Sequence, residues 1–175
     1  MNHAANRKSM GPDPSFHSDG IDLAVRQGAP PFGASLDVTL LFKQSLIAVA
    51  APKFADKGDT PLDPGKLAKM PKIHDAHDQW PSYLSYLGIQ DQSYRHLRLS
   101  QTSLAVDAAI AGQGVALVSQ FFVAHDLKAG RLIEVGSAWC EGRGDFYVLM
   151  PRTEKNNETV IKVVNWLKDC SAEGT

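Results

Sequence analysis

The spacing of apolar residues alternates between a strand period and a helix period, most clearly across residues 96–135. Leu97 and Leu99 alternate with polar neighbours, as in a strand, and Leu104 and Ala108 then recur at a helical interval. A second strand, a second helix and a third strand follow, with glycines at the joints. Strands that alternate with helices in this way predict an α/β domain built on a central sheet.

Shorter elements are predicted before this region. A continuous apolar run at residues 46–51 is typical of a strand that is buried on both faces. A helix at residues 79–87 carries Pro81 in its first turn, where proline is tolerated. The remaining predictions are strands at residues 21–26, 38–42 and 72–75 and a short helix at residues 66–70.

Beyond residue 135 the pattern predicts a strand at residues 146–150, a connection at residues 151–157 and a closing helix. The apolar positions of this helix fall at i, i+3, i+4 and i+7, the stripe of a helix that packs on a sheet. They are Val160, Val163, Val164 and Leu167. The closing helix therefore needs a sheet face to cover.

Four polar residues separate the strand that ends at Leu99 from the helix that follows: Ser100, Gln101, Thr102 and Ser103. Their hydroxyl and amide groups can cap the helix N-terminus. Ligands of open α/β sheets bind at the carboxyl ends of strands, where a helix N-terminus presents unpaired N–H groups to an anion. These residues are the first candidate binding site, and a small carboxylate is the ligand predicted from them.

Composition and charge narrow the class of protein. With 18 basic and 19 acidic side chains the net charge is −1, so the chain as a whole lacks the basic character typical of nucleic-acid binding. No apolar run approaches the ~20 residues of a membrane span, and residues 1–10 lack the apolar core of a signal peptide, which together predict a cytoplasmic location. Residues 1–18 are expected to form an irregular tail. Cys140 and Cys170 are expected to be reduced thiols.

An ordered set of short segments along residues 16–169 resembles the effector-binding domain of LysR-type transcriptional regulators, in the branch that includes the glycine-cleavage and β-lactamase regulators. No single segment is specific, but their order is. The segments are DLAVRQG at 22–28, SLIAVAAP at 45–52, Pro61-Leu62 with Lys66-Leu67, Trp80 with Tyr83-Leu84, AAIAGQGVALV at 108–118, Gly130-Arg131-Leu132 and Trp166-Leu167.

The resemblance implies an α/β fold with two lobes, like the type 2 periplasmic binding proteins, and an effector cleft between the lobes. Its first lobe would be incomplete and its second complete. Residues 19–51 and 151–175 are assigned to the partial first lobe and residues 52–150 to the second. The strands at residues 46–51 and 146–150 are expected to act as hinges between the lobes.

Further candidate ligand residues follow from this cleft, which the loop at residues 100–103 would line from the second lobe. Arg26 ends the first strand, where it could pair with a ligand carboxylate; a surface arginine or an ion pair between strands is the alternative. Alternation along the later strand sends either Phe146 or Tyr147 into the cleft, and the sequence leaves the choice open. The implied effector is an amino acid or another small carboxylate, with no cofactor.

Parts of the resembled regulators have no counterpart in this sequence, namely the winged helix-turn-helix and the segment of the first lobe that precedes residue 22. We therefore expect an effector-binding fragment that binds neither nucleic acid nor membranes directly and that is left with an open sheet edge. Either residues 1–18 cover this edge or two copies pair across it as a homodimer.

Other chemistries have less support. The tract at residues 74–78 contains four potential metal ligands, but no later His or Cys pair completes a set, so we interpret it as a strand end followed by helix-capping residues. Gly112 and Gly114 follow a helix, which favours a C-cap and turn over a phosphate loop. No Gly-x-Ser-x-Gly motif supports a nucleophile, so no catalysis is expected. The alternative functions are a free-standing solute-binding or regulator-pairing protein of the same fold and a small hydrolytic enzyme.

Overall fold

A computed structural model describes residues 20–55, 60–137 and 144–173 of the protein. The predicted tail at residues 1–18 and Cys140 lie outside the described residues. Cys170 is an exposed free thiol. No helix in the described ranges is long and apolar enough to cross a membrane.

The described residues form eight strands and five helices. The strands are β1 (Ala24–Gly28), β2 (Leu36–Phe42), β3 (Leu46–Ala50), β4 (Lys72–His74), β5 (His96–Arg98), β6 (Val115–Ser119), β7 (Ile133–Glu134) and β8 (Asp145–Pro151). The helices are α1 (Pro64–Lys69), α2 (Trp80–Tyr86), α3 (Thr102–Ile110), α4 (Gln120–Lys128) and α5 (Glu158–Glu173), with single 3₁₀ turns at Pro52–Phe54 and Arg152–Asn156. Their types and order agree with the sequence pattern, with ends shifted by a few residues.

The strands build two separate sheets. A five-stranded sheet has the order β5-β4-β6-β3-β7, in which β4 is parallel to β5 and β6 while β3 is antiparallel to β6 and β7. A three-stranded sheet has the order β1-β8-β2 and is antiparallel throughout. The fold is the α/β arrangement expected for two lobes.

The main core lies on both faces of the five-stranded sheet. Every residue of β3 is buried, as its continuous apolar run predicts. Alternate side chains enter opposite layers. Ala48 packs with Trp80 and Tyr83 on one face, and Val49 packs with Ala109 of α3 on the other. Gly112, at φ +69°, ends α3 as the predicted C-cap turn.

The three-stranded sheet is covered on one face by α5. Val160 and Val164 of the predicted stripe pack against Val148 of β8. The strand register places Val38 and Leu40 on the opposite face, where they are 37% and 44% exposed. The β2 side chains on this second face are therefore partly open to solvent.

The chain crosses between the sheets at places other than those expected. The family resemblance assigns residues 46–51 to the first lobe, but β3 pairs with β6 and β7 in the five-stranded sheet. It likewise assigns residues 146–150 to the second lobe, but β8 pairs with β1 and β2. The crossings lie at residues 43–45 and between β7 and β8. An apolar run locates a strand without saying which sheet it joins, because pairing is decided by distant residues.

Candidate functional site

A cavity of about 530 Å³ lies where the two sheets meet. Its volume is within the range of small-molecule sites. Both sheets contribute to its wall, together with the first crossing, α3 and the start of α4. The lining residues are Gln27, Gln44, Leu46, Asp75, His77, Gln79, Thr102, Ser103, Val106, Asp107, Leu117, Val118, Ser119, Phe122 and Phe146.

Three of the seven predicted site residues line this cavity: Thr102, Ser103 and Phe146. Ser100 and Gln101 precede helix α3 and are not part of the lining. Thus the second half of the predicted polar loop reaches the cavity and the first half does not.

Arg26 and Tyr147 do not line the cavity either, and the strand register explains why. Phe146 of β8 is paired with Gln27 of β1, and both side chains line the cavity. Arg26 and Tyr147 form the next pair, whose side chains point to the other face of the sheet. There the Tyr147 ring meets Phe32 edge to face, with ring centroids 5.1 Å apart. Of the predicted strand residues, Phe146 therefore lines the cavity and Arg26 and Tyr147 do not; Gln27, the neighbour of Arg26, lines it instead.

Helix α3 begins at the cavity with a different arrangement from the predicted hydroxyl cap. Gln101 is the N-cap residue, and its side chain makes no capping hydrogen bond. The Thr102 hydroxyl instead donates to Asp75 Oδ2 at 2.6 Å. The predicted side-chain cap is therefore wrong, because the helix begins at Thr102, which leaves Gln101 rather than a hydroxyl residue at the N-cap position.

The loop at residues 75–79 forms one wall of the cavity. Asp75 Oδ1 accepts hydrogen bonds from the backbone N–H groups of His77 at 2.9 Å and Asp78 at 3.3 Å. Among the described lining residues, the aspartates at 75 and 107 are the acidic side chains, and no lysine or arginine is present. The described wall is therefore acidic.

Two glutamines at the junction of the sheets were not singled out by the sequence pattern. The Gln44 backbone N–H donates to Asp145 Oδ1 at 2.9 Å, which ties the first crossing to the start of β8. The Gln44 side-chain oxygen accepts from the buried Ser119 hydroxyl at 3.1 Å, and Gln27 Nε2 donates to the Gly144 carbonyl at 3.3 Å. The only signal in the sequence is that Gln44 belongs to a short polar break between two apolar strands.

An aromatic cluster joins the two sheets beside the cavity. The Phe42 ring stacks on Phe121 and Phe146, with centroid distances of 4.3 Å and 4.6 Å. Phe122 lies edge to face with Phe146 at 6.4 Å and is 55% exposed. Because Phe122 and Phe146 also line the cavity, this end of the wall is apolar.

The tract at residues 74–78 forms a hydrogen-bonded cluster next to the cavity loop. His74 Nδ1 lies 2.6 Å from Asp78 Oδ1, and Arg98 donates to Asp78 Oδ2 at 3.2 Å. Partial burial acts to raise the pKa of Asp78, but the hydrogen bonds from His74 and Arg98 outweigh it, so the pKa lies below its usual value. Gln79 is the N-cap residue of α2 and its side chain makes no capping hydrogen bond, so the helix-capping role expected for the tract at residues 74–78 is wrong. Within the described ranges, no three His, Cys, Asp or Glu side chains could together hold a metal ion.

The comparisons with known proteins agree with this architecture. Residues 16–171 match the model of the LysR substrate binding domain, and the chain belongs to this family, the effector-binding part of LysR-type transcriptional regulators. The glycine cleavage system transcriptional activator of Escherichia coli K12 is 32% identical over 119 residues, which are 66% of this chain and 38% of that protein. The regulator TrpI of Pseudomonas aeruginosa is 28% identical over 117 residues, 65% of this chain and 40% of that protein.

Solved structures show the same fold. The effector binding domain of AmpR from Citrobacter freundii has a TM-score of 0.68 at 16% identity and covers 92% of this chain and 80% of that domain. The regulatory domain of CrgA from Neisseria meningitidis has a TM-score of 0.62 at 18% identity, over 90% of this chain and 80% of that domain. The matched part of the chain spans about two fifths of the length of these two curated relatives.

Proposed function

We propose that the chain binds a small-molecule effector in the cavity between its sheets and catalyses no reaction. The observation that carries the proposal is that side chains from both sheets, Gln27 and Phe146 on one side and Ser103 on the other, line a single cavity. A ligand held there contacts both sheets and favours the arrangement in which both contacts are made. In a complete regulator, this preference would be coupled to a DNA-binding module.

The ligand we propose is an amino acid with an apolar side chain, rather than a simple carboxylate. Ser103 and Asp107 stand four residues apart on α3 and share a helix face. The N-terminus of α3 suits a ligand carboxylate, and the acidic group of Asp107 suits its ammonium group. The neighbouring Phe122 and Phe146 rings offer an apolar surface for the side chain.

Thermal-shift measurements with the standard L-amino acids test this proposal. A ligand present at about 100 times its Kd stabilises the folded state by about 2.7 kcal/mol. The best amino acid should lose this effect when its amine is acetylated or when its carboxylate is converted to an amide. Equal stabilisation by the acetylated form would contradict the role of Asp107, and turnover of the ligand would contradict a binding function.

Substitutions should locate the site. Ser103→Ala should weaken the ligand-induced shift because the hydroxyl lines the cavity. Ser82→Ala is the matched control, since Ser82 is exposed on α2 and does not line the cavity. Equal ligand-induced shifts in the two variants would place the ligand elsewhere.

We also propose that two copies pair through the three-stranded sheet. Its outer strands β1 and β2 have no further strand partner among the described residues, and Val38 and Leu40 are exposed on the face opposite α5. Unpaired edges and exposed apolar side chains favour association. The alternative, that residues 1–18 cover this region, predicts a monomer whose tail resists proteases.

Light scattering coupled to size exclusion distinguishes these possibilities. Leu40→Asp should convert a dimer to a monomer, whereas Ile161→Asp, a substitution at a 38%-exposed site on α5, should not. A monodisperse wild-type monomer with a protease-sensitive tail would contradict both versions.

A further inference from the structure

Two histidines on neighbouring strands are in direct contact behind the cavity loop. His74 ends β4 and is buried, at 4% exposure, while His96 begins β5 and is exposed. His74 Nε2 lies 2.9 Å from His96 Nδ1, and His74 Nδ1 lies 2.6 Å from Asp78 Oδ1. We call His74 and His96 the histidine pair.

The short distance between the rings limits how many protons the pair can hold. A hydrogen bond between two imidazole nitrogens needs one N–H and one lone pair, so a single hydrogen lies between His74 Nε2 and His96 Nδ1. When both rings are neutral, His96 can donate this hydrogen while His74 Nδ1–H donates to Asp78. One additional proton can make His74 cationic, and His74 Nε2–H then donates to His96. A second additional proton would place two N–H groups against each other, which opposes its uptake.

The charged groups around the pair form two ion pairs. On the loop side stand the Asp78 carboxylate and the Arg98 guanidinium, which contact each other at 3.2 Å. On the other side, Lys72 of β4 forms an ion pair with Asp91 at 3.0 Å. Two cations and two carboxylates balance, so a proton added to the histidines enters surroundings with no net charge and lies next to the Asp78 carboxylate.

Asp78 connects the pair to the cavity. It is the only non-glycine residue with a positive φ among those described, at +44°. An aspartate in this conformation must be held there by its surroundings, and its side chain is bound by His74 and Arg98. Its neighbours His77 and Gln79 line the cavity, so the contacts of Asp78 help to position that wall.

We propose that His74 and His96 are positioning residues for the effector site, which share one proton and hold the loop at residues 75–79 more firmly when the pair is charged. When His74 is neutral, its contact with Asp78 is a hydrogen bond from an uncharged ring. When His74 is charged, the same contact becomes an ion pair, which is stronger. Imidazole changes charge between pH 5 and 8, so the cavity wall responds to pH in this range. This inference rests on the proposed function, because the loop can affect effector binding only if the effector binds in this cavity. The pH response of the loop itself requires no ligand.

NMR of the whole chain tests the inference. The His77→Gln variant serves as the reference, because His77 lies in the loop and would add a titration of its own. In this reference the backbone amides of Asp75, Gln79 and Thr102 should shift with pH between 5 and 8. The imidazole nitrogens of the pair should take up one proton in that range and not two.

Adding His74→Gln to the reference should abolish the pH-dependent loop shifts, because the glutamine amide can donate to Asp78 but cannot take up the proton. Adding His125→Gln, an exposed site on α4, should leave them unchanged. Loop amides that do not titrate in the reference, or that titrate equally with His74→Gln, would overturn the proposal.

His96→Gln provides a second variant in case His74→Gln does not fold, since His96 is exposed. His96→Gln should move the midpoint of the loop titration by about half a pH unit or more, which corresponds to a change of about threefold in the proton affinity of His74. An unchanged midpoint means that the rings do not share a proton and contradicts the proposal. A failure of every ligand to bind would refute the proposed function while leaving these titrations intact, so the two failures are distinguishable.

Discussion

Replacement of Lys72 by methionine should destabilise the protein much more than replacement of an exposed lysine such as Lys69. The Lys72 side chain is fully buried, and its ammonium group donates to the carbonyls of Ala68 at 2.8 Å and of Leu67 and Met70 at 3.3 Å. These carbonyls lie at the end of helix α1. The Leu67 carbonyl also accepts from the Met70 N–H at 3.2 Å and the Ala68 carbonyl from the Gln92 N–H at 3.1 Å, so the ammonium adds a charged donor to them. The ammonium also pairs with Asp91 and lies 5.4 Å from the centre of the Trp80 ring.

The expected loss can be worked from these contacts. A hydrogen bond from a charged group contributes about 1.5–3 kcal/mol, and the two longer bonds add less than the short one. Asp91 is partly exposed and is rehydrated when its partner is removed, so its share is small. Burial lowers the pKa of Lys72, although Asp91 acts to raise it, which shows that the ammonium is already disfavoured by its surroundings. Lys72→Met should therefore cost about 3 kcal/mol, or about 9 °C in Tm for a chain of this length.

Urea denaturation followed by circular dichroism measures this cost. Lys69→Met is the matched control, because Lys69 lies on α1, is exposed, and should change the free energy of unfolding by less than about 0.5 kcal/mol. If Lys72→Met and Lys69→Met unfold at the same urea concentration, the Lys72 ammonium does not stabilise the end of α1, and the reasoning is wrong.

Three further effects on stability can be measured in the same way. Burial raises the pKa of Tyr83 to about 12, so unfolding releases a proton between pH 10 and 12 and the free energy of unfolding should fall by about 2–3 kcal/mol there, a fall that Tyr83→Phe removes. The pKa of Asp78 is lowered in the folded state, so its contribution to stability is present above about pH 4 and is lost as the pH falls below that value. Asp78→Asn should therefore lessen the loss of stability below about pH 4. Gly88→Ala, at φ +68° with open space around it, should cost about 1 kcal/mol, and Gly112→Ala should cost more because its Cβ would meet the Lys53 side chain. Equal costs at the two glycines would mean that Lys53 moves aside freely.

The sequence pattern predicted the elements well because helix and strand periods are local properties. The stripe that contains Val160 and Val164 identified α5 and its need for a sheet, and the structure packs both residues against β8. The polar break before α3 identified Thr102 and Ser103, since a helix N-terminus after a strand is a local feature as well.

The sequence does not predict which strand residues face the cavity, because a single residue of register decides it. The charge of Arg26 makes it a candidate, but the neighbouring Gln27 faces the cavity, because consecutive side chains of a strand point to opposite faces. Gln44 was missed since its role depends on Asp145 and Ser119, which are distant in sequence and meet only at the crossing between sheets. The contact between His74 and His96 likewise requires that β4 and β5 pair in parallel.

By itself, then, the sequence determined the order of strands and helices, the α/β class, the family and the polar residues at the start of α3 that line the cavity. These follow from the spacing of apolar residues and from short motifs, which act within one element or between neighbours in the chain. The tertiary structure alone decided which sheet β3 and β8 join, which side chain of each strand faces the cavity, and that two histidines meet behind its wall. Such features depend on pairing between segments far apart in the chain, and a shift of one residue in that pairing turns every side chain to the other face.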